Sequence, residues 1–207
     1  MAHRGIRVCV ASVLLLVVGQ AQASVILRLS DFSSNNVPAE QLDAERKFSV
    51  SASTLTLRVT NLTPGAPSDP PLKINEIYFN ATDNVTGLIL TSSSPQWQVD
   101  FAEDGFLVDA FGLFDVQFTD GAGHQPQVVD PGETVVFTFD IIGTGPFSET
   151  DFVTELSTVF DQHIPSLAAA KFFDDGGVSA FGNVIPEPAG LILLLLGGAV
   201  VARRRAR

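Results

Sequence analysis

Thr134-Val135-Val136-Phe137-Thr138-Phe139-Asp140-Ile141-Ile142 is the stretch that decides the fold class. Successive side chains of an extended chain point to opposite faces. Val135, Phe137, Phe139 and Ile141 therefore share one face, and Thr134, Thr138 and Asp140 lie on the other. That period of two is the pattern of a half-buried strand. Working outward, Thr54–Thr60 repeats it with Leu55, Leu57 and Val59 on one side, and Leu113–Thr119 alternates in the same way. Val25–Leu29, Ile74–Asn80, Gly87–Thr91 and Trp97–Phe101 are further short runs rich in β-branched or aromatic residues. Turn clusters separate them: Asn61–Pro71 with its four prolines, Asp120–Gly123, Asp130-Pro131-Gly132 and Gly143–Pro146. Glycine supplies positive φ and proline fixes φ, so each cluster ends a strand and permits a reversal. Thr150–Thr158 and Leu167–Phe172 are ambiguous, the first fitting a short helix over a sheet edge. Strands with such punctuation and no βαβ alternation predict an all-β, antiparallel β-sandwich, jelly-roll or Ig-like. Sixteen phenylalanines against one Trp and one Tyr suit the space between two sheets, because Phe needs no hydrogen-bond partner there.

The two ends read differently. Arg4 and Arg7 precede an apolar run, Val8–Gly19, which is followed by Gln20-Ala21-Gln22-Ala23. Charge, apolar core and small residues at Ala21 and Ala23 are the order of a secretory signal peptide. The run is short for a bilayer span. Residues 1–23 are expected to form a signal helix removed by signal peptidase after Ala23, leaving Ser24 as the mature N-terminus; an uncleaved anchor is the alternative. Cys9, the only cysteine, lies at the start of this run and not at the end, where a lipoprotein signal would need it. The mature chain then has no disulfide, no Cys-ligated zinc and no thiol nucleophile. Residues 24–183 are expected to be one extracytoplasmic domain, long enough to be held by its core alone.

That segment carries six basic residues (Arg28, Arg46, Lys47, Arg58, Lys73, Lys171) against 22 acidic ones, a net charge of −16. Such a body repels nucleic-acid phosphates and anionic lipid, which excludes nucleic acid as a partner. It favours solubility, and after that divalent cations or basic partners.

Residues 184–207 close the chain with Pro186-Glu187-Pro188, an uncharged run over 189–202, and Arg203-Arg204-Arg205-Ala206-Arg207. The prolines end any preceding strand. Fourteen residues of helix reach about 21 Å, short of the roughly 30 Å hydrocarbon core. The terminal arginines stay cytoplasmic and snorkel, which extends the effective span of a membrane helix over 189–202. Arg4 and Arg7 lie on the same side, so both ends place the body outside the cytoplasmic membrane.

This order of Pro-Glu-Pro, short apolar helix and arginine cluster resembles the PEP-CTERM sorting domain of exported bacterial proteins. The resemblance implies recognition by an exosortase, a polytopic cysteine-dependent membrane enzyme. It implies processing near Pro186, Glu187 and Pro188, with Arg203, Arg204 and Arg205 orienting the tail, and delivery from the cytoplasmic membrane to the cell surface or medium. It also ties the chain to bacteria that make exopolysaccharide. Segments Ile74–Thr82, Asp104–Asp115 and Phe172–Gly182 look loosely like β-rich passenger domains of this group, which carry no known activity.

Little in the middle points to chemistry. G-x-S-x-G, H-E-x-x-H and P-loop patterns are absent. His124 and His163 read as loop histidines without a triad around them. Glu103, Asp104, Asp109 and Asp115 are the candidate carboxylates for a glycoside hydrolase, which needs two of them about 5–9 Å apart in one cleft; by alternation Asp115 and Asp140 are expected to point outward. Asp174-Asp175-Gly176-Gly177 and Asp83–Gly87 could offer oxygens to calcium, without EF-hand spacing. No catalytic residue, resident metal or cofactor is assigned. A carbohydrate-binding module is the alternative, and its aromatic platform would have to be Trp97 or Tyr78.

Overall fold

The computed structural model describes residues 24–29, 33–34, 37–38, 41–64, 71–92, 97–120, 127–160 and 162–184. The expected signal helix and the sorting segment lie outside the described residues, apart from Val184, which ends a strand, and so does His124. Among the described residues no helix is long and apolar enough to cross a membrane.

Among the described residues ten strands run in chain order: β1 (Val25–Leu29), β2 (Ala44–Ser51), β3 (Thr54–Asn61), β4 (Lys73–Phe79), β5 (Val85–Ser92), β6 (Trp97–Val108), β7 (Gly112–Asp120), β8 (Thr134–Gly143), β9 (Ala168–Phe173) and β10 (Ser179–Val184). They form two antiparallel five-stranded sheets, ordered β1-β2-β3-β8-β5 and β10-β9-β4-β7-β6. The molecule is an all-β sandwich, as the alternation required.

The inward faces are those read from the sequence. Leu55, Leu57 and Val59 of β3 and Phe137, Phe139 and Ile141 of β8 are buried against Ile77 and Phe79 of β4 and Val116 and Phe118 of β7. Rings mesh across the gap: Phe118 meets Phe137 at 4.8 Å and Phe139 at 5.6 Å, both edge to face, and Phe48 meets Phe79 at 5.4 Å. Edge-to-face pairs add about 0.5–1.5 kcal/mol each beyond area burial.

A second, smaller apolar cluster lies on the far side of the second sheet. Tyr78, Val108, Phe111, Phe114 and Ala169 pack there with Phe106, Ile164 and Phe181 around them. The connection after β8 folds over it: Leu113 bonds Thr158, Ile164 N–H donates to Ala110 C=O, and Ser157 Oγ donates to Phe111 C=O.

Five elements differ from the expectation or settle it. β2 is a strand that was not anticipated, because Glu45-Arg46-Lys47 hides its alternation; Ala44, Arg46 and Phe48 are nonetheless the buried side. β10 was not singled out either. The strand beginning at Trp97 continues past Phe101 to Val108 through a register shift between Phe101 and Phe106. The ambiguous segment after Thr150 holds only one 3-10 turn, Glu149–Phe152, and Leu167–Phe172 is settled as strand β9.

Candidate functional site

Of the residues singled out for sorting, Ser24 alone is described, exposed and one residue before β1. Ala21, Ala23, Pro186, Glu187, Pro188, Arg203, Arg204 and Arg205 lie outside the described residues. The site that can be built from geometry is an acidic cleft at the end of the sandwich where β4 passes to β5.

Its centre is Asp115 on β7. Alternation predicted an outward side chain; instead Asp115 is only 7% exposed. The reason is local. The extra residues in β6 break its ladder with β7, and the Asp115 carboxylate takes up the freed backbone donors. Oδ1 accepts from Asp104 N–H at 2.8 Å and Oδ2 from Ala81 N–H at 3.0 Å, while Asp115 N–H donates to Asn80 Oδ1 at 3.0 Å. Buried polar groups survive when they are hydrogen-bonded in this way. Asp115 is a clamp between the end of β4 and the bulge of β6.

The adjoining loop is fixed by the 3-10 turn. Asp151 Oδ1 accepts from Thr82 Oγ1 and Asn84 Nδ2, each at 2.9 Å, and its carbonyl accepts from Thr82 N–H at 2.9 Å. Asp83, Glu103, Asp104, Asp115 and Glu155 then line one pocket of about 80 Å³. A wider groove of about 480 Å³ shares Asp83, Glu103 and Asp115 with it. No basic residue stands among the described lining. Burial, then the charges of Asp83, Asp115 and Asp104, hold the Glu155 carboxyl above its ordinary range.

The structure thus gathers Glu103, Asp104 and Asp115 but not Asp109, which lines a separate open groove with His163. Asp115 has both oxygens engaged by backbone, which suits a structural part better than proton transfer. His163 is tied to its own loop, bonding Phe160 C=O and packing on the Phe160 ring at 4.4 Å.

Of the two calcium candidates, Asp83–Gly87 contributes Asp83 to the acidic cleft, and Asp174–Gly177 is engaged by local bonds. Asp174 Oδ1 accepts from Gly176 N–H at 2.9 Å and Val178 N–H at 2.8 Å, closing the β9–β10 turn, and Asp175 pairs with Lys73 at 3.0 Å. Among the described residues no three acidic or histidine side chains converge on a point that would hold a metal ion.

Trp97 and Tyr78 are 6% and 3% exposed. Trp97 meets Phe137 edge to face at 5.5 Å inside the sandwich. Tyr78 donates its hydroxyl to the Glu76 carboxylate and accepts from Gln117 Nε2 at 2.9 Å. Burial, and then that bond to Glu76, push the Tyr78 hydroxyl pKa up. Neither ring offers the flat exposed face that a sugar-stacking site requires.

One polar residue escaped the sequence reading altogether. Arg46 is fully buried and crosses from the first sheet to the second, where it donates to Tyr78 C=O at 2.6 Å and to Ala169 C=O. Its place in the alternation of β2, on the side of Ala44 and Phe48, was the signal that could have found it.

No protein-family model, no curated protein and no solved structure matches the chain.

Proposed function

We propose that this chain is an exported, exosortase-sorted surface or extracellular-matrix protein whose β-sandwich body is non-catalytic. The observation that carries the reading is the terminal order Pro186-Glu187-Pro188, an uncharged run over 189–202, and Arg203-Arg204-Arg205. The position of the folded body supports it. β1 begins at Val25, one residue after the expected signal cleavage, and β10 ends at Val184, two residues before Pro186. Cleavage at both ends would leave every described strand intact. The described body also contains no cysteine, in keeping with a sandwich stabilised by its core without disulfides. In this reading signal peptidase acts after Ala23, the helix over 189–202 holds a membrane intermediate, and exosortase processes the tail at the Pro-Glu-Pro segment. Exopolysaccharide is the polymer the released body would meet. The sandwich itself is a jelly-roll in this reading, since β3 pairs with β8 and β4 with β7, as when a long hairpin rolls up.

Intact mass of the protein recovered from the surface and medium of its host tests the proposal. The expected mass starts at Ser24 and ends near Pro186–Pro188. A membrane-bound mass that still includes Arg207 would overturn exosortase processing and leave a plain anchor.

A further inference from the structure

The acidic cleft plays no part in export or sorting, and it holds no counter-charge among its described lining. Its carboxylates are spread along the rim: among the described residues no three of them meet at a point that would hold a metal ion. Burial, and then repulsion from Asp83, Asp115 and Asp104, hold Glu155 above its ordinary range, a strain that a nearby positive charge would relieve.

A second, independent feature is Asn80. It is 2% exposed and lines the small pocket with Asp83, Glu103, Asp104 and Glu155. Its Oδ1 accepts from Asp115 N–H at 3.0 Å, which fixes the orientation of the planar amide and sets Nδ2 beside Asp115. That Nδ2 is buried and has no hydrogen-bond partner among the described residues. A buried donor left unpaired is costly. The pocket therefore asks for an acceptor as well as a positive charge.

A bare metal ion supplies no acceptor. A peptide supplies both, the charge on a side chain and the acceptor on its backbone. The adjoining groove suits the rest of such a ligand. Ala81, Val85 and Phe101 give it an apolar wall, along which the methylene stem of a lysine or arginine can lie. It runs between β5 and β6, edge strands that each pair on one side only among the described residues. A sugar would want an exposed aromatic face, and Trp97 and Tyr78 are buried.

We propose that this cleft binds one basic side chain, lysine or arginine, of an extended segment of a partner protein. Asp83, Glu103, Asp104 and Glu155 surround the charge, and a backbone carbonyl of the partner accepts from Asn80 Nδ2. All four of those carboxylate residues are exposed, so each ion pair contributes modestly and the affinity falls with added salt.

The test uses the full chain in detergent, with Arg203, Arg204, Arg205 and Arg207 each changed to glutamine so that its own basic tail cannot compete. The probe is the blocked peptide acetyl-Ala-Val-Arg-Val-Ala-amide, titrated and followed by nuclear magnetic resonance. It is expected to shift the side-chain amide signals of Asn80. The same peptide with citrulline, an uncharged isostere of arginine, is expected to bind about tenfold more weakly. Glu103→Gln and Glu155→Gln should each weaken binding about fourfold, while Asp109→Asn, an equal change in net charge outside the cleft, leaves it within about twofold. Equal binding of the citrulline peptide overturns the proposal, as do Asn80 signals that stay in place while the peptide binds. An equal loss from Asp109→Asn overturns it in favour of attraction to the whole acidic body. A glucosamine oligomer that binds more tightly than the peptide overturns it in favour of an amino-sugar ligand. Failure of exosortase processing would leave each of these outcomes unchanged.

Discussion

Arg46 shows how far a single residue can depart from its chemical type. A guanidinium with no water around it is costly, and burial alone pushes its pKa down to about 9. It stays charged at neutral pH. The folded pKa lies below the unfolded one, so the desolvation penalty is present below about pH 9 and is relieved as pH rises from there toward the ordinary arginine range. Two charge-assisted bonds to Tyr78 C=O and Ala169 C=O offset part of it, and Nε has no hydrogen-bond partner among the described residues. Those carbonyls belong to paired residues of β4 and β9, so one planar fork ties both strands to β2. A lysine ammonium is a point charge and cannot span the two in the same way. Arg46→Lys is expected to destabilise the fold by about 2 kcal/mol, the loss of one charged hydrogen bond, read from the midpoint of urea unfolding.

At the scale of elements, the bulge in β6 and the turn from β4 to β5 make the acidic cleft. Neither follows from alternation, because a register shift moves side chains to the face that simple counting denies them. Asp115 is the example: by counting it faces solvent, but the bulge brings backbone donors that bury it. The carboxylates gathered there repel one another. Glu155 has a folded pKa above its unfolded value of about 4.5, so its charge weakens the fold at neutral pH and makes no difference once it is protonated in both states. Glu155 is exposed, so solvent screens most of the effect. Glu155→Gln is expected to raise the melting temperature by about 1 °C near neutral pH. The gain should shrink as pH falls through the folded pKa and vanish below the unfolded one. A gain that persists in acid would mean that packing, not charge, is responsible.

At the scale of the whole molecule, a cysteine-free sandwich with a net −16 is held by its phenylalanine-rich core against its own charge. Added salt should stabilise it by screening. At Asp174–Gly177 calcium is expected to add nothing beyond that, because the oxygens of Asp174 and Asp175 are engaged in turn bonds and an ion pair. Melting curves in millimolar calcium and in chelator, at matched ionic strength, should coincide; a specific upward shift would reveal a bound ion through ligand linkage. The sequence by itself determined the all-β class and the inward faces of β3 and β8, and the proposal of export and sorting rests on the sequence of the two ends alone. Period-two alternation and terminal charge order are local properties that need no partner to be read. Tertiary structure decided the rest. Strand order, the burial of Trp97, Tyr78, Arg46 and Asp115, and the convergence of Asp83 and Glu155 on one cleft all depend on which strands become neighbours. Pairing joins residues far apart in the chain, such as Thr54 and Asp140, and the identity of a strand's neighbour is not written in its own residues.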